Sequence, residues 1–322
     1  MRILVAGATG VVGRTLLPCL IAKGYRVVGT TRTESKIGFI RRMGGEAIVM
    51  NGLDRDAVRR AVEIARPEVI IHEMTDLSGI SDLRRFDRAF AVSNRLRTEG
   101  TDYLLAAAKE MGVKRLVAQS FCGWPFARFG SAVKSEADPL DAEPPKELRR
   151  TLEAISHLEK VVTEAPGIEG VVLRYGAFYG HDTGLFGAPF LDQVRRRRVP
   201  IIGDGSGWWS LVHIEDVAGA TALAVERGKG GQIYNIVDDE PARVRDWLPT
   251  LAGIIGARPP RHVPRWLGRL VAGEHLVVMM TEARAGSNAK AKRDLQWQPA
   301  QSSWRQGFAD VLQQGTARDV AA

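Results

Sequence analysis

The stretch GATGVVG, residues 7–13, decides the fold. It follows the β-rich run RILVAG (2–7) and leads into RTLLPCLIAKG (14–24), whose apolar residues recur at helical spacing. Glycines between a strand and a helix let the chain turn tightly and bring backbone N–H groups close to a phosphate. The helix N-terminus adds a favourable dipole. A glycine pattern in isolation says little, but the preceding strand and following helix supply the context it needs. Gly7, Thr9, Gly10, Val11, Val12 and Gly13 are therefore expected to clasp the pyrophosphate of a dinucleotide.

The end of the second strand refines which dinucleotide. A carboxylate there would suit the ribose 2′-hydroxyl of NAD, whereas the sequence reads TTRTESK (30–36). Arg32 offers a planar fork of donors to a 2′-phosphate and Lys36 lies one helical turn on. NADP(H) is the preferred cofactor on this reading. NAD(H) remains open, with Glu34 in the ribose role.

Further along, RVVGTT (26–31), EAIVM (46–50), EVIIH (68–72), RLVAQS (115–120) and GVVLRYG (170–176) alternate with segments of helical periodicity such as DRDAVRRAVEIA. Strands interleaved with helices predict an α/β protein with a doubly wound parallel sheet. After residue 176 the alternation breaks into glycine- and proline-containing segments, Trp208 and Trp209, and ARPPRHVPRW (257–266). The expected organisation is a dinucleotide-binding domain over 1–176 with a return segment near 211–238. A smaller C-terminal substrate-binding lobe is expected from 177–210 and 239–315.

With 322 residues and 45% hydrophobic content, the chain can bury a large core. It contains no uninterrupted apolar window of about 18 residues and its N-terminus runs straight into the glycine loop, so a cytoplasmic protein without a membrane partner is expected. Two cysteines, Cys19 and Cys122, are too few for a disulfide framework and lack metal-binding spacing, so no metal is expected. The net charge of +8 is dispersed apart from Arg195 to Arg198, which reads as a solvated helix end, so nucleic acid is not an expected partner.

GATGVVG, VKRLVAQS (113–120), LRYGAFYG (173–180), WSLVHIEDVAGA (209–220) and SNAKAKRDLQWQP (287–299) together resemble the extended short-chain dehydrogenase/reductase superfamily, of NAD-dependent epimerase/dehydratase type. The resemblance implies a Rossmann fold with the reaction cleft between the two lobes. It implies cofactor contacts from Asn51 and Leu53 near the adenine, from Glu73 and Gln119 at strand ends, and from Tyr175 at the nicotinamide. It also implies a small-molecule substrate and leaves room for a homodimer.

Members of that superfamily carry a tyrosine and, four residues later, a lysine on the helix before the sixth strand. The tyrosine handles the proton that accompanies hydride transfer and the lysine lowers its pKa. In RRTLEAISHLEK (149–160) those positions are Thr151 and Ile155, and none of the five tyrosines is followed by lysine at that spacing. This chain thus resembles an atypical branch. Tyr179, Lys134 in the long loop 122–146, and Ser120 after the fifth strand are the candidate replacements. Trp208 and Trp209 stand where sugar-nucleotide enzymes hold a diphosphate with arginine, which points to an apolar or aromatic substrate. An NADP(H)-dependent oxidoreductase acting on a carbonyl or activated double bond is the leading expectation. A redox-neutral epimerase or dehydratase and a noncatalytic dinucleotide sensor are the alternatives.

Overall fold

The computed structural model describes residues 1–77 and 85–321, with side chains through 313. Seven strands form one parallel sheet: β1 (Arg2–Ala6), β2 (Arg26–Thr31), β3 (Glu46–Val49), β4 (Val69–His72), β5 (Arg115–Phe121), β6 (Glu169–Tyr175) and β7 (Gln232–Ile236). Their spatial order is β7-β6-β5-β4-β1-β2-β3. The order reverses between β1 and β4, and a ligand crevice opens at the carboxyl ends of strands where that happens.

Helices α1 (Val11–Ala22), α2 (Ile37–Arg42) and α6 (Ile214–Arg227) cover one face, burying Leu16, Leu17, Leu20, Ile40, Val217 and Val225 in one core with Ile3, Val5 and Ile71. Helices α3 (Arg55–Ala65), α4 (Thr101–Glu110) and α5 (Arg149–Thr163) cover the other, burying Val58, Val62, Leu104 and Leu158 against Leu4, Ile70 and Leu116. Alternate residues of a strand face opposite sides, so a sheet covered on both faces needs nearly continuous apolar strands. All four residues of β4 are buried accordingly. Each fully buried Leu or Ile contributes roughly 1.5–3 kcal/mol. Local signals set the helix limits. Asp54 caps α3, accepting from the N–H groups of Asp56 and Ala57 at 3.0 Å each, and Arg66 ends it in the left-handed region at φ 42°.

A separate core assembles from later segments. Tyr179, Phe186, Leu191, Trp247, Leu248, Trp304 and Phe308 pack together there. The segment GQIYNIV supplies β7, paired in parallel with β6 from Gln232 opposite Val171 to Ile236 opposite Tyr175. Asp216, three residues after His213, does not cap its own helix. His213 Nδ1 accepts from the Glu215 N–H at 3.4 Å, while the buried Asp216 carboxylate accepts from the N–H groups of Ala300 and Gln301 at 2.7 and 2.9 Å. Sequence spacing could not show that a loop some 85 residues away would take that carboxylate.

Candidate active site

The glycine loop lies at the carboxyl end of β1, between β2 and β4 in the sheet. Gly7 has φ 97°, and a Cβ there would lie 2.6 Å from the Glu73 carbonyl oxygen. At Gly13 a Cβ would lie 2.6 Å from the carbonyl oxygens of Gly7 and Ala8. Both positions exclude any side chain, the first through backbone conformation as well as space. The Gly7 N–H donates to Thr30 Oγ1 at 3.2 Å and the Gly10 N–H to the Gly7 carbonyl at 3.0 Å, which holds the turn closed. Gly10 starts α1 without any side-chain cap, and Gly10 itself is exposed. The start of this helix is thus left without a side-chain cap beside a tight glycine turn, an arrangement that suits an anion. Thr9 and Val11 are half-buried on the loop and Val12 packs into the core beneath it. A dinucleotide pyrophosphate fits these residues.

Arg32 is exposed at the end of β2, and its fork rests on Asp76, Nη1 and Nη2 lying 3.2 and 3.3 Å from the two carboxylate oxygens. Lys36 is exposed one short helical turn on. Asn51 is exposed after β3, its side-chain oxygen accepting from the Leu53 N–H at 3.1 Å, and Leu53 is half-buried. Gln119 is half-buried near the end of β5.

Glu73 is buried beneath the loop rather than facing out of it. Its Oε1 lies 2.9 Å from the Tyr175 hydroxyl, which lies 2.7 Å from Thr221 Oγ1, and Oε2 has no hydrogen-bond partner. Burial pushes the Glu73 carboxyl up to about 8. Burial also holds the His72 imidazole down at about 4, so this ring is neutral, its Nε2 lying near the Leu96 carbonyl and its Nδ1 accepting from the Met74 N–H.

The three candidate proton donors do not meet in one place. Tyr179 is fully buried in the second core, its hydroxyl without a partner, between Phe186, Phe308 and the backbone at Gly307. Lys134 is 2% exposed, and its ammonium donates to the Phe129 carbonyl at 2.7 Å and to Asp138 at 3.4 Å, tying its own loop together. Ser120 donates to Glu159 Oε1 at 2.7 Å, and Glu159 in turn forms a buried two-pronged pair with Arg174 at 2.7 and 2.6 Å. The i, i+2 alternation of β5 turns Ser120 toward α5 and its glutamate.

At the position aligned with the missing tyrosine, the Thr151 hydroxyl donates to Asp87 at 2.7 Å and accepts from the Asn94 amide at 3.0 Å. Asp87 also takes the N–H groups of Arg150 and Thr151, so it caps α5 from another helix. Ile155 is buried in packing. Nearby, Phe86 and Phe90 stack at 4.1 Å, Trp124 meets the edge of Phe86 at 5.8 Å, and Trp209 joins the same cluster with Met279. Of this neighbourhood the sequence singled out Trp209 and left Phe86, Phe90, Asn94 and Arg97 unnoticed. Their i, i+4, i+8 and i+11 spacing on one helical face was the available signal. A cavity of about 470 Å³ lies elsewhere, beside the edge strand β7, lined by Glu136, Gln232, Lys290 and Arg293 among others and by no residue of the glycine loop.

Comparison with known proteins agrees with this fold. Residues 3–237 match the model of the NAD dependent epimerase/dehydratase family. The chain is 39% identical over 311 residues to a 3-diazoavenalumate denitrifying reductase of a Streptomyces species, covering 96% of this chain and 99% of that one. It is 28% identical over 258 residues to a ketoreductase of Stigmatella aurantiaca acting on a farnesyl dihydroquinoline oxide, covering 78% and 72%. Among solved structures, a UDP-glucose 4-epimerase of Thermotoga maritima shares the fold with a TM-score of 0.77 at 23% identity, covering both chains completely.

Proposed function

Because the chain belongs to the NAD dependent epimerase/dehydratase family, we propose that it is an NADP(H)-dependent reductase of an aromatic or otherwise apolar small molecule, acting on a carbonyl or another activated unsaturated group. The bound nicotinamide would supply the hydride; the protein's task is to hold both reactants in register and keep the cleft dry.

The observation that carries the reductase reading is the state of Thr151 and Ile155. An epimerase that removes and returns a hydride must also remove and return a hydroxyl proton, which calls for a positioned base. Thr151 is committed to Asp87 and Asn94, and Ile155 carries no cation to tune a neighbour. One-way reduction makes a weaker demand, since a proton can come from water once the hydride has arrived. The two relatives named as reductases support the same direction by likeness. The aromatic cluster of Phe86, Phe90, Trp124 and Trp209 supports an apolar body for the substrate.

Arg32 supports the preference for the 2′-phosphorylated cofactor. Its fork is already exposed at the end of β2, and a 2′-phosphate would compete for it with Asp76. The test is NADPH consumption followed at 340 nm over a panel of aromatic ketones, enones and diazo compounds, with calorimetry for NADPH and NADH. Turnover with NADPH favoured is the expected result. Absence of heat with either coenzyme overturns the reading, and cofactor retained without net absorbance change moves it to a redox-neutral isomerisation.

A further inference from the structure

Arg97 is 7% exposed, and no carboxylate of a described residue lies within ion-pair reach of it. Its single hydrogen bond runs from Nη1 to Asn94 Oδ1 at 3.2 Å, which leaves the other N–H groups of the fork without a protein partner among the described residues. Among the described residues the other deeply buried guanidinium, Arg174, shows the usual solution in its two-pronged pair with Glu159. Burial alone pulls the Arg97 guanidinium down to about 10. A buried cation left without a counter-ion is costly, so its retention points to an anion that arrives from outside the chain.

The surroundings say which kind. Asn94, the partner of Arg97, also bonds Thr151 at the start of α5, and the neighbouring Leu96 carbonyl lies 3.3 Å from His72 Nε2 at the end of β4. Arg97 therefore sits at the carboxyl edge of the sheet, the edge that carries the glycine loop. It belongs to the segment Leu96–Gly100, a π-helical turn within a helical stretch, and such turns recur at functional sites. On the same stretch Phe86, Phe90, Asn94 and Arg97 follow helical spacing, and the stacked phenyl rings meet Trp124, which lies 6.3 Å from Phe121 at the end of β5. One end of the face is aromatic and the other cationic. At 1.5 Å per residue the interval from Phe90 to Arg97 is on the order of 10 Å.

We propose that this face is the substrate subsite for an extended aromatic carboxylate, its ring on the Phe86–Phe90–Trp124 cluster and its carboxylate on the free prongs of Arg97. The assignment rests on the reading of this edge as the reaction cleft. A planar guanidinium takes a carboxylate through two parallel bonds, and the low dielectric around it strengthens each.

The experiment is calorimetric titration of the full chain with cinnamate and with its neutral amide, with and without saturating NADP⁺. Cinnamate is expected to bind roughly tenfold or more tightly than cinnamamide. Arg97→Met should abolish that difference while leaving NADP⁺ affinity unchanged, and Arg97→Lys should restore part of it. Since Arg97→Met removes an uncompensated buried charge, it should melt at or above the wild-type temperature. Equal binding of acid and amide, no binding of cinnamate in either cofactor state, an Arg97→Met protein that still prefers the acid or, should Arg97→Met fail to fold, a folded Arg97→Gln protein that keeps the wild-type preference would each overturn the assignment. Failure of NADP⁺ to bind while cinnamate keeps its dependence on Arg97 would instead count against the dinucleotide reading alone.

Discussion

The Tyr175 hydroxyl stands 2.9 Å from Glu73 Oε1, and this contact is one link of a three-link chain. Tyr175 also lies 2.7 Å from Thr221 Oγ1, which lies 2.7 Å from the Val217 carbonyl. That carbonyl can only accept, so the threonine proton goes to it, while the tyrosine proton goes to Glu73 Oε1. Burial pushes the Glu73 carboxyl up to about 8, and the bond from the Tyr175 hydroxyl, which favours the charged form, offsets only part of that rise.

Glu73→Gln should therefore be tolerated, because the amide oxygen still accepts from the Tyr175 hydroxyl and the side chain carries no charge to bury. The folded-state value lies above the ordinary 4.5. The folded protein thus holds a proton that the unfolded chain has lost, and wild-type stability falls as pH rises from about 4.5 to about 8. Each pKa unit is worth roughly 1.4 kcal/mol. Urea unfolding at several pH values should show the variant gaining on the wild type across that window. A difference that does not vary with pH would show Glu73 to be ionised throughout.

Tyr179→Phe should leave coenzyme binding and turnover intact and cost nothing in stability, since its buried hydroxyl has no partner to lose. Ser120→Ala should cost about 1 kcal/mol through its lost bond to Glu159, with kcat little changed. Steady-state kinetics beside thermal melts separates these effects. A fall in kcat of a hundredfold in either variant would restore that residue as a proton donor.

The Arg32–Asp76 pair makes cofactor choice adjustable from both sides. Arg32→Ala should weaken NADPH by roughly tenfold or more while NADH changes little, because only the former carries the 2′ anion. Asp76→Asn should free the fork and tighten NADPH. Dissociation constants for both coenzymes in both variants decide the matter, and parallel losses for the two would remove Arg32 from 2′-phosphate recognition.

Gly13→Ala should abolish measurable dinucleotide binding, since its methyl group would press on the Gly7 and Ala8 carbonyls that shape the loop. Gly7→Ala adds left-handed backbone strain of about 1–3 kcal/mol. Fluorescence titration with NADPH, beside a melt to confirm folding, tests both. Undiminished affinity in Gly13→Ala would mean that the pyrophosphate is held elsewhere.

By itself the sequence determined the strand–glycine–helix opening, the alternation behind the parallel sheet and the absence of the tyrosine–lysine pair. Each of these is a local pattern: hydrophobic periodicity reports which face is buried, and a glycine that no other residue can replace reports a close approach. Only the tertiary structure decided where the polar side chains point. Ser120 turns to Glu159, Lys134 to its own loop, Tyr179 into the second core and Glu73 under the glycine turn, because each partner comes from a distant segment or from the fold of a loop. The same reason hid Arg97 among ordinary surface cations, since a charge becomes conspicuous only when packing removes it from water and, among the described residues, places no carboxylate beside it.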